Sequence, residues 1–477
     1  MNSVIRKEQR SARRMRLIAI ASIVVSMGVT AVNSGGNYTI AAAQSVVKTT
    51  NVLVDGKQQS WNAQPFLQGG TTFVPLREAA KAIGGAVEWN NASKSAVIRL
   101  NGDVITHRSG TAVMNINGYT LNMSAPSRTV KGTLMVPLRS LTDSLKTTLR
   151  VTQTSTSMTI AISKDSITYL SKELTSVDQY LKDKSYSGMA LVAKDGVVLL
   201  RKGYGLAGKD TLNRPDMKSR IASITKSFTA SSIMKLAEEG KVKLEDPIST
   251  YVSGIPRGDD ITLHMLLSHT SGLPSEFTRS AEMTIEQTIK EIRTKKVEFE
   301  PGTAYKYSNN GYVLLAYVIE QMSGSSFADY VQKTMFAAAG MKSSGTASPS
   351  TPTIQGYLLK NGKWTEAPYY ASQSGTGTLY STVDDLLKWD RLLSGNKLLT
   401  NESLEAMYSP SYSDKHYGYG WIVKPSDTGT TVFHNGSGSG YSTGISRDLE
   451  NGTVVILLGN HAGLDTVTMM DAIQILL

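Results

Sequence analysis

The chain has 477 residues, 40% of them hydrophobic, with 50 Lys and Arg against 39 Asp and Glu and a formal charge of +11. That length admits two or three domains, and the composition is that of a soluble globular protein. There is no cysteine, which excludes disulfides and an anchor through a lipidated cysteine.

The N-terminus differs from the rest. Arg6, Lys7, Arg10, Arg13, Arg14 and Arg16 precede an apolar run from Leu17 to Val32, and Ala41-Ala42-Ala43 follow. This order reads as a secretory signal peptide over 1–43, cleaved after Ala43. The run is short of the ~20 residues that span a bilayer, which favours cleavage over a retained anchor. The leader holds six cations and one acid, Glu8, so the remainder keeps a charge of +6. That excess suits a polyanionic surface such as a bacterial wall, and plain solubility explains it too. The expected location is secreted and associated with the cell envelope.

Residues 44–162 contain an internal repeat. Val74-Pro75-Leu76-Arg77 recurs as Val136-Pro137-Leu138-Arg139, a shift of 62, and Gly56 and Gly70 map onto Gly118 and Gly132. Each unit reads as strands, a Gly turn, a short helix opened by Pro and a strand pair. In the first unit the helix stops at Gly84-Gly85, and strands Ala86–Trp89 and Ala96–Leu100 follow. Two similar units in tandem indicate duplication.

A second domain is expected over 166–477. Ile167, Leu170, Leu174, Val177 and Leu181 recur at helical spacing. Strands 189–193 and 197–201 flank an Asp195-Gly196 turn. Helices are expected over 284–293, 312–322 and 383–393, then strands over 431–434, 441–447 and 454–458, and a terminal helix over 465–477. Helices at both ends of an antiparallel sheet, with a helical insertion, make this an α+β fold, preceded by a small duplicated α+β domain that reads as a wall-binding stalk, a spacer or a structural appendage.

The chemistry centres on Ser223-Ile224-Thr225-Lys226. Ala230, Ile233, Met234 and Ala237 give the following segment one core-facing helical stripe, and Gly240 is placed to end it. Ser223 then sits at a helix N-terminus with Lys226 one turn away on the same face. A serine hydroxyl needs a base to become a nucleophile, and a lysine serves only when burial keeps it neutral. Such a pair alone is a weak signal. Its company strengthens it: Tyr307-Ser308-Asn309 stand before an apolar helix, where the tyrosine can relay a proton and the asparagine can hold a substrate carbonyl. His434-Asn435-Gly436-Ser437 stand at a strand end, where Gly436 admits a substrate backbone and Ser437 offers an oxyanion N–H.

These motifs resemble the serine β-lactamase and DD-peptidase superfamily, in its class C-like branch. The likeness covers roughly 175–477 and includes Ile221–Ala230, Leu266–Pro274 with its Ser268-His269-Thr270-Ser271-Gly272 core, Pro301-Gly302-Thr303, and Leu379–Thr382 with Asp385. It implies that Ser223 is acylated, Lys226 accepts its proton, Tyr307 joins in acid–base transfer, Asn309, His434 and Gly436 bind substrate, and the N–H groups of Ser223 and Ser437 form the oxyanion hole. His434 stands where many relatives have lysine. A histidine is only partly charged near neutral pH and grips a carboxylate less firmly. Asn435 replaces a threonine. The segment before it resembles the copper amine oxidase N-terminal-like domain. With one histidine, His107, and no cysteine there, no metal is expected, and no cofactor is expected anywhere.

Other patterns are set aside. His269 has no acid placed beside it and reads as structural. Gly203–Gly208 fits a dinucleotide fingerprint but no helix follows. Tyr305, Trp421 and Tyr441 fit a cleft or a core equally, and nothing supports nucleic-acid binding. The expected activity is acyl-enzyme hydrolysis of D-amino-acid peptides of the cell wall, as in a D-alanyl-D-alanine carboxypeptidase. The alternatives are an esterase or weak β-lactamase at the same site, or a wall-peptide-binding protein without turnover. The expected partners are peptidoglycan peptides or small ester or β-lactam substrates, with envelope polymers as further candidates and no nucleic acid.

Overall fold

A computed structural model describes residues 49–477 except 155–156, 164–167, 276–283, 371–373, 411–415 and 427–428. The expected signal peptide over 1–43 and Ile167 lie outside the described residues.

The repeat is visible strand by strand. The first copy has strands Thr49–Val54 (β1), Lys57–Gln59 (β2), Phe66–Gln68 (β3) and Thr71–Pro75 (β4), helix Leu76–Ala82 (α1), and strands Ala86–Asn90 (β5) and Ser95–Leu100 (β6). Asp103–Arg108 (β7) leads into the second, with strands Val113–Ile116 (β8), Tyr119–Asn122 (β9), Arg128–Val130 (β10) and Thr133–Pro137 (β11), helix Leu138–Ser144 (α2), and strands Thr148–Gln153 (β12) and Ser157–Ser163 (β13). The copies exchange strands. One sheet runs β12-β13-β1-β2, a second runs β5-β6-β7-β8-β9, and a third joins β4 to β11. Val74 pairs with Val136, flanked by Pro75 with Met135 and Phe73 with Pro137. Both valines are fully buried, so the duplicated motif meets itself at the centre of one shared core, which neither copy closes alone.

The second domain carries a seven-stranded sheet. Tyr169–Leu170 (β14) is followed by a 3-10 turn and helix Thr175–Asp183 (α3), then Gly188–Lys194 (β15) and Val197–Tyr204 (β16). The long helix expected from 167 therefore starts later, because Tyr169 and Leu170 pair with Arg201 and Leu200 and extend the sheet. Helix Thr225–Glu238 (α4), helix Asn309–Ser323 (α5) and helix Val383–Ser394 (α6) belong to the helical part, and strands Ile422–Ser426 (β17), Gly429–Gly438 (β18), Tyr441–Asp448 (β19) and Thr453–Gly459 (β20) return before helix Thr466–Ile475 (α7). Sheet order is β14-β16-β15-β20-β19-β18-β17. The side carrying Met189, Leu191 and Ile456 packs on the helical part, and the side carrying Ala190, Val192 and Leu457 packs with α3 and α7. The α+β architecture is the one expected. Among the described residues no helix is long and apolar enough to cross a membrane.

The repeat domain is fastened to this sheet by buried charge. The Asn101-Gly102 turn abuts α3, where a Cβ on Gly102 would stand 2.7 Å from Asp178 Oδ2. Lys202, fully buried on β16, bonds Asp103 at 2.9 Å, Asp178 at 2.8 Å and the Asn101 carbonyl at 2.9 Å. Lys146 bonds Asp103 at 2.8 Å and the Gly203 carbonyl at 2.7 Å. Burial alone would raise the Asp103 pKa, but the two ammonium groups outweigh it and hold the carboxyl well below its ordinary range. Leu212 is buried in the core of the repeat domain. A spacer standing apart would not bury these groups in common, so the segment is an integral part of the folded unit.

Candidate active site

The nucleophile turn is pinned from two sides. Ser219–Arg220 pairs with Tyr380–Ser381, and a 3-10 turn, Ala222–Ile224, leads into α4. Thr443 Oγ1 donates to the Ile221 carbonyl at 2.9 Å, and the Leu379 N–H donates to Thr225 Oγ1 at 3.3 Å. Ala222 has φ of 47°, a left-handed conformation that costs a non-glycine residue about 1–3 kcal/mol and persists where the surroundings enforce it. It turns Ser223 out of the helix axis, with its N–H in the unpaired first turn.

Lys226 is fully buried on α4. Its Nζ lies 3.2 Å from Ser223 Oγ, 2.8 Å from Asn309 Oδ1 and 3.2 Å from the Thr376 carbonyl oxygen. Burial pushes its pKa well below the ordinary value. A neutral amine has two N–H donors and one lone pair. Asn309 and Thr376 offer acceptors only, so they take the two donors and the lone pair is left for the Ser223 hydroxyl proton.

Tyr307 lies beside this pair, with Lys226 Nζ 4.9 Å from its ring centroid. Burial raises the phenol pKa, and a hydrogen bond with Ser223 works in the opposite direction with smaller effect. The phenol is therefore a proton-bearing group at neutral pH, able to donate next to Oγ. Tyr307 precedes α5, whose N-cap Ser308 accepts from the Gly311 N–H at 3.2 Å. Asn309 is held by Ser275, whose Oγ lies 3.1 Å from both its backbone N and its Nδ2. Asn309 was expected to orient substrate. Its carbonyl oxygen accepts from Lys226, so it also orients the base.

Gly436 is required by proximity. A Cβ there would stand 2.5 Å from Thr443 Oγ1, 2.7 Å from the Ile221 oxygen and 2.9 Å from the Ser223 nitrogen. Glycine lets β18 lie against the nucleophile turn, whereas the sequence had suggested room for a substrate backbone. Ser439 and Gly440 have φ of 48° and 86° and form a two-residue hairpin turn. Gly438 and Tyr441 are then a hydrogen-bonded pair, and alternation makes Ser437 and Ser442 a non-bonded one. The Ser437 N–H thus points away from β19, to the edge that β17 leaves open beyond Phe433.

His434 departs from expectation. Its Nδ1 lies 2.6 Å from the Asn435 carbonyl and its Nε2 lies 3.0 Å from the Tyr417 hydroxyl. Burial pulls its pKa down to about 3. The ring is neutral at pH 7, not half-charged, and it offers no cation to a carboxylate. The pleat puts Asn435 on the other side of the sheet, with Gly444 toward α7.

Sequence reasoning missed Tyr417, Tyr312, Ser275 and the Thr376 carbonyl. Tyr417 lies in a Tyr-Gly-Tyr-Gly-Trp run, an alternation that signals backbone pressed against a neighbour: a Cβ on Gly420 would stand 2.6 Å from the Lys226 carbonyl. Of the three cleft candidates, Tyr305 borders the site, 6.1 Å from His269, while Trp421 and Tyr441 are core residues.

The beta-lactamase family model matches residues 175–477, and the copper amine oxidase N-terminal domain model matches 53–160. PbpX of Bacillus subtilis (strain 168), which carries a penicillin-binding-protein name, is 32% identical over 292 residues, 60% of this chain and 73% of PbpX. The D-alanyl-D-alanine-carboxypeptidase/endopeptidase AmpH of Escherichia coli (strain K12) is 29% identical over 303 residues, 56% of this chain and 78% of AmpH. The octameric penicillin-binding protein homologue from Pyrococcus abyssi has a similar fold, with a TM-score of 0.57 and 30% identity over 64% of this chain and 76% of that one. With more than half of its length matched and a lysine-activated serine at its centre, the chain belongs to the beta-lactamase family and is a serine hydrolase.

Proposed function

We propose that this hydrolase is exported and cleaves D-amino-acid peptides of the cell wall through an acyl-enzyme on Ser223, as a D-alanyl-D-alanine carboxypeptidase or endopeptidase does. The observation that carries the reading is the fully buried Lys226 amine, its Nζ 3.2 Å from the Ser223 hydroxyl, where burial favours the neutral form that can take the hydroxyl proton. Lys226 takes the hydroxyl proton as Oγ attacks the scissile carbonyl. The oxyanion is met by the N–H groups of Ser223 and Ser437. Tyr307, protonated and bonded to Ser223, passes a proton to the departing amine, and water then reverses the sequence to free the enzyme. Asn309 orients Lys226, Gly436 lets the strand carrying Ser437 reach the nucleophile, and His434 borders the pocket as a neutral ring. The name of AmpH supports D-alanyl peptides as the substrate class.

The neutral His434 favours a second reading, in which small esters or β-lactams are turned over at the same residues and a free carboxylate adds little to binding. Turnover of a D-Ala-D-Ala peptide, nitrocefin and a p-nitrophenyl ester, compared on one preparation, separates the two. Intact-mass measurement after penicillin treatment should show one acyl adduct on Ser223, and Ser223→Ala should lose both adduct and turnover while remaining folded. Hydrolysis persisting in the pure variant would reject the nucleophile. Absence of any adduct with penicillin or a fluorophosphonate would favour a binding protein without turnover. Export is supported by the basic, apolar and small-residue order over 1–43, and the test is whether protein recovered from the wall or medium begins at residue 44.

A further inference from the structure

His269 takes no part in the steps above, yet it touches more of the site's aromatic rings than any residue assigned a role. It follows the short helix Leu263–Leu267, is fully buried and has φ of 61°. Its ring centroid lies 4.2 Å from that of Tyr307, 4.5 Å from Tyr417, 5.0 Å from Tyr312 and 6.1 Å from Tyr305.

Two hydrogen bonds add to this packing. The Lys306 N–H donates to the His269 carbonyl oxygen at 3.0 Å, and the Ser308 N–H lies 3.1 Å from His269 Nδ1. A backbone N–H can only donate, so Nδ1 is the acceptor and the ring proton resides on Nε2. That proton has no hydrogen-bond partner among the described residues. Burial holds the imidazole well below its ordinary pKa, so it is neutral. A general base needs an orienting acid on one nitrogen and the nucleophile on the other. Here one nitrogen faces a main-chain amide and the other faces no acceptor.

One residue thus holds the chain on both sides of Tyr307 and covers its ring. We propose that His269 is the positioning residue for Tyr307: its carbonyl fixes Lys306, its Nδ1 fixes Ser308, and its ring sets the face of the phenol between them, so that the hydroxyl stays aimed at Ser223. The left-handed backbone at 269 is what allows carbonyl and side chain to reach the same three-residue segment. This inference rests on Tyr307 being the proton relay, and the test separates failure of one from failure of the other.

The test compares the parent, His269→Asn, Tyr307→Phe and the double variant as full-length proteins. Asn tolerates positive φ and retains a short side-chain acceptor, but lacks the ring. The expected loss in kcat for His269→Asn on a D-Ala-D-Ala peptide is about 10–100-fold, within the range for impaired general acid–base transfer, with KM little changed. Acylation by a p-nitrophenyl ester, read as the burst of nitrophenolate, needs no proton on the leaving group and should slow less than about threefold. In the Tyr307→Phe background the same substitution should cost nothing further, since its effect passes through the absent hydroxyl. If His269→Asn melts early, His269→Gln is measured in its place. A slow Tyr307→Phe with a full-speed His269→Asn, or two losses that multiply in the double variant, overturns the proposal. A full-speed Tyr307→Phe overturns the relay instead.

Discussion

Lys226 Nζ lies closer to Asn309 Oδ1, at 2.8 Å, than to Ser223 Oγ, at 3.2 Å. The amide is a neutral acceptor, so it orients the amine while favouring its charged form far less than an anion would. A carboxylate in the same place would favour it strongly. Asn309→Asp sets an anion against Nζ and raises the Lys226 pKa, so the neutral base appears only at higher pH. The acid limb of kcat/KM should move up by about 1–3 units, with activity on that limb falling about tenfold for each pH unit it moves. Lys226→Ala should slow acylation about a hundredfold or more. A pH–rate profile on one ester substrate checks both, and an unmoved limb in Asn309→Asp would point to a different base.

His434 leads to a prediction of opposite kind. Its pKa in the folded protein is about 3, against about 6.5 in an unfolded chain. The unfolded state therefore binds the extra proton between those values. The stability from burying the neutral ring is present above about pH 6.5 and is lost as pH falls toward 3. Catalysis should show no histidine inflection between pH 5 and 8 from this residue. Urea midpoints measured across pH 4–7 should fall less steeply for His434→Asn than for the parent. Equal slopes would mean that the ring is charged in the fold.

Gly436 tests the approach of strand to nucleophile. In Gly436→Ala the new methyl meets the Ile221 oxygen at 2.7 Å and the Ser223 nitrogen at 2.9 Å, both backbone atoms that cannot rotate away. β18 must retreat and carry the Ser437 N–H with it. Since loss of one oxyanion donor costs about a hundredfold or more in kcat, a drop of at least about tenfold is expected in protein that still folds, with a melting midpoint lowered by the overpacking. Full activity would place the second donor elsewhere.

What could be read from the sequence follows from what is local. The 62-residue shift maps Thr71–Pro75 onto Thr133–Pro137 and Leu76–Ala82 onto Leu138–Ser144, because hydrophobic period and turn chemistry are properties of a segment. The exchange of strands between copies was not legible, since pairing partners are chosen by the closed core. α4 shows the same limit. Ala230, Ile233, Met234 and Ala237 mark only one core-facing stripe, yet Ser227, Thr229 and Ser232 are buried as well: Ser227 and Ser232 bond the carbonyls of Ile224 and Phe228, and Thr229 that of Gly375. Satisfied in this way, small polar side chains lie in the interior. Motif spacing brought Ser223, Lys226, Tyr307 and Asn309 together on paper. The charge of His434 and the partner of Asn309 depend on burial and distance, which spacing does not contain.

The buried charges between the repeat and the sheet give the last prediction. Asp103 lies within 3 Å of both Lys146 and Lys202, and those lysines are 4% and 0% exposed. Asp103→Ala strips the carboxylate from buried Lys146 and one of the two from Lys202, which keeps Asp178 at 2.8 Å. Breaking a buried pair by removing one partner costs about 3–5 kcal/mol. The denaturant midpoint should fall accordingly. Activity at low temperature should persist, because no residue of the Ser223 site bonds this cluster. Deleting residues 49–163 should be more damaging, since it strips the cover from Lys202 and Leu212 on the hydrolase itself. A truncated hydrolase as stable as the parent would show that the repeat is a detachable spacer and that the shared ion cluster contributes nothing to the fold.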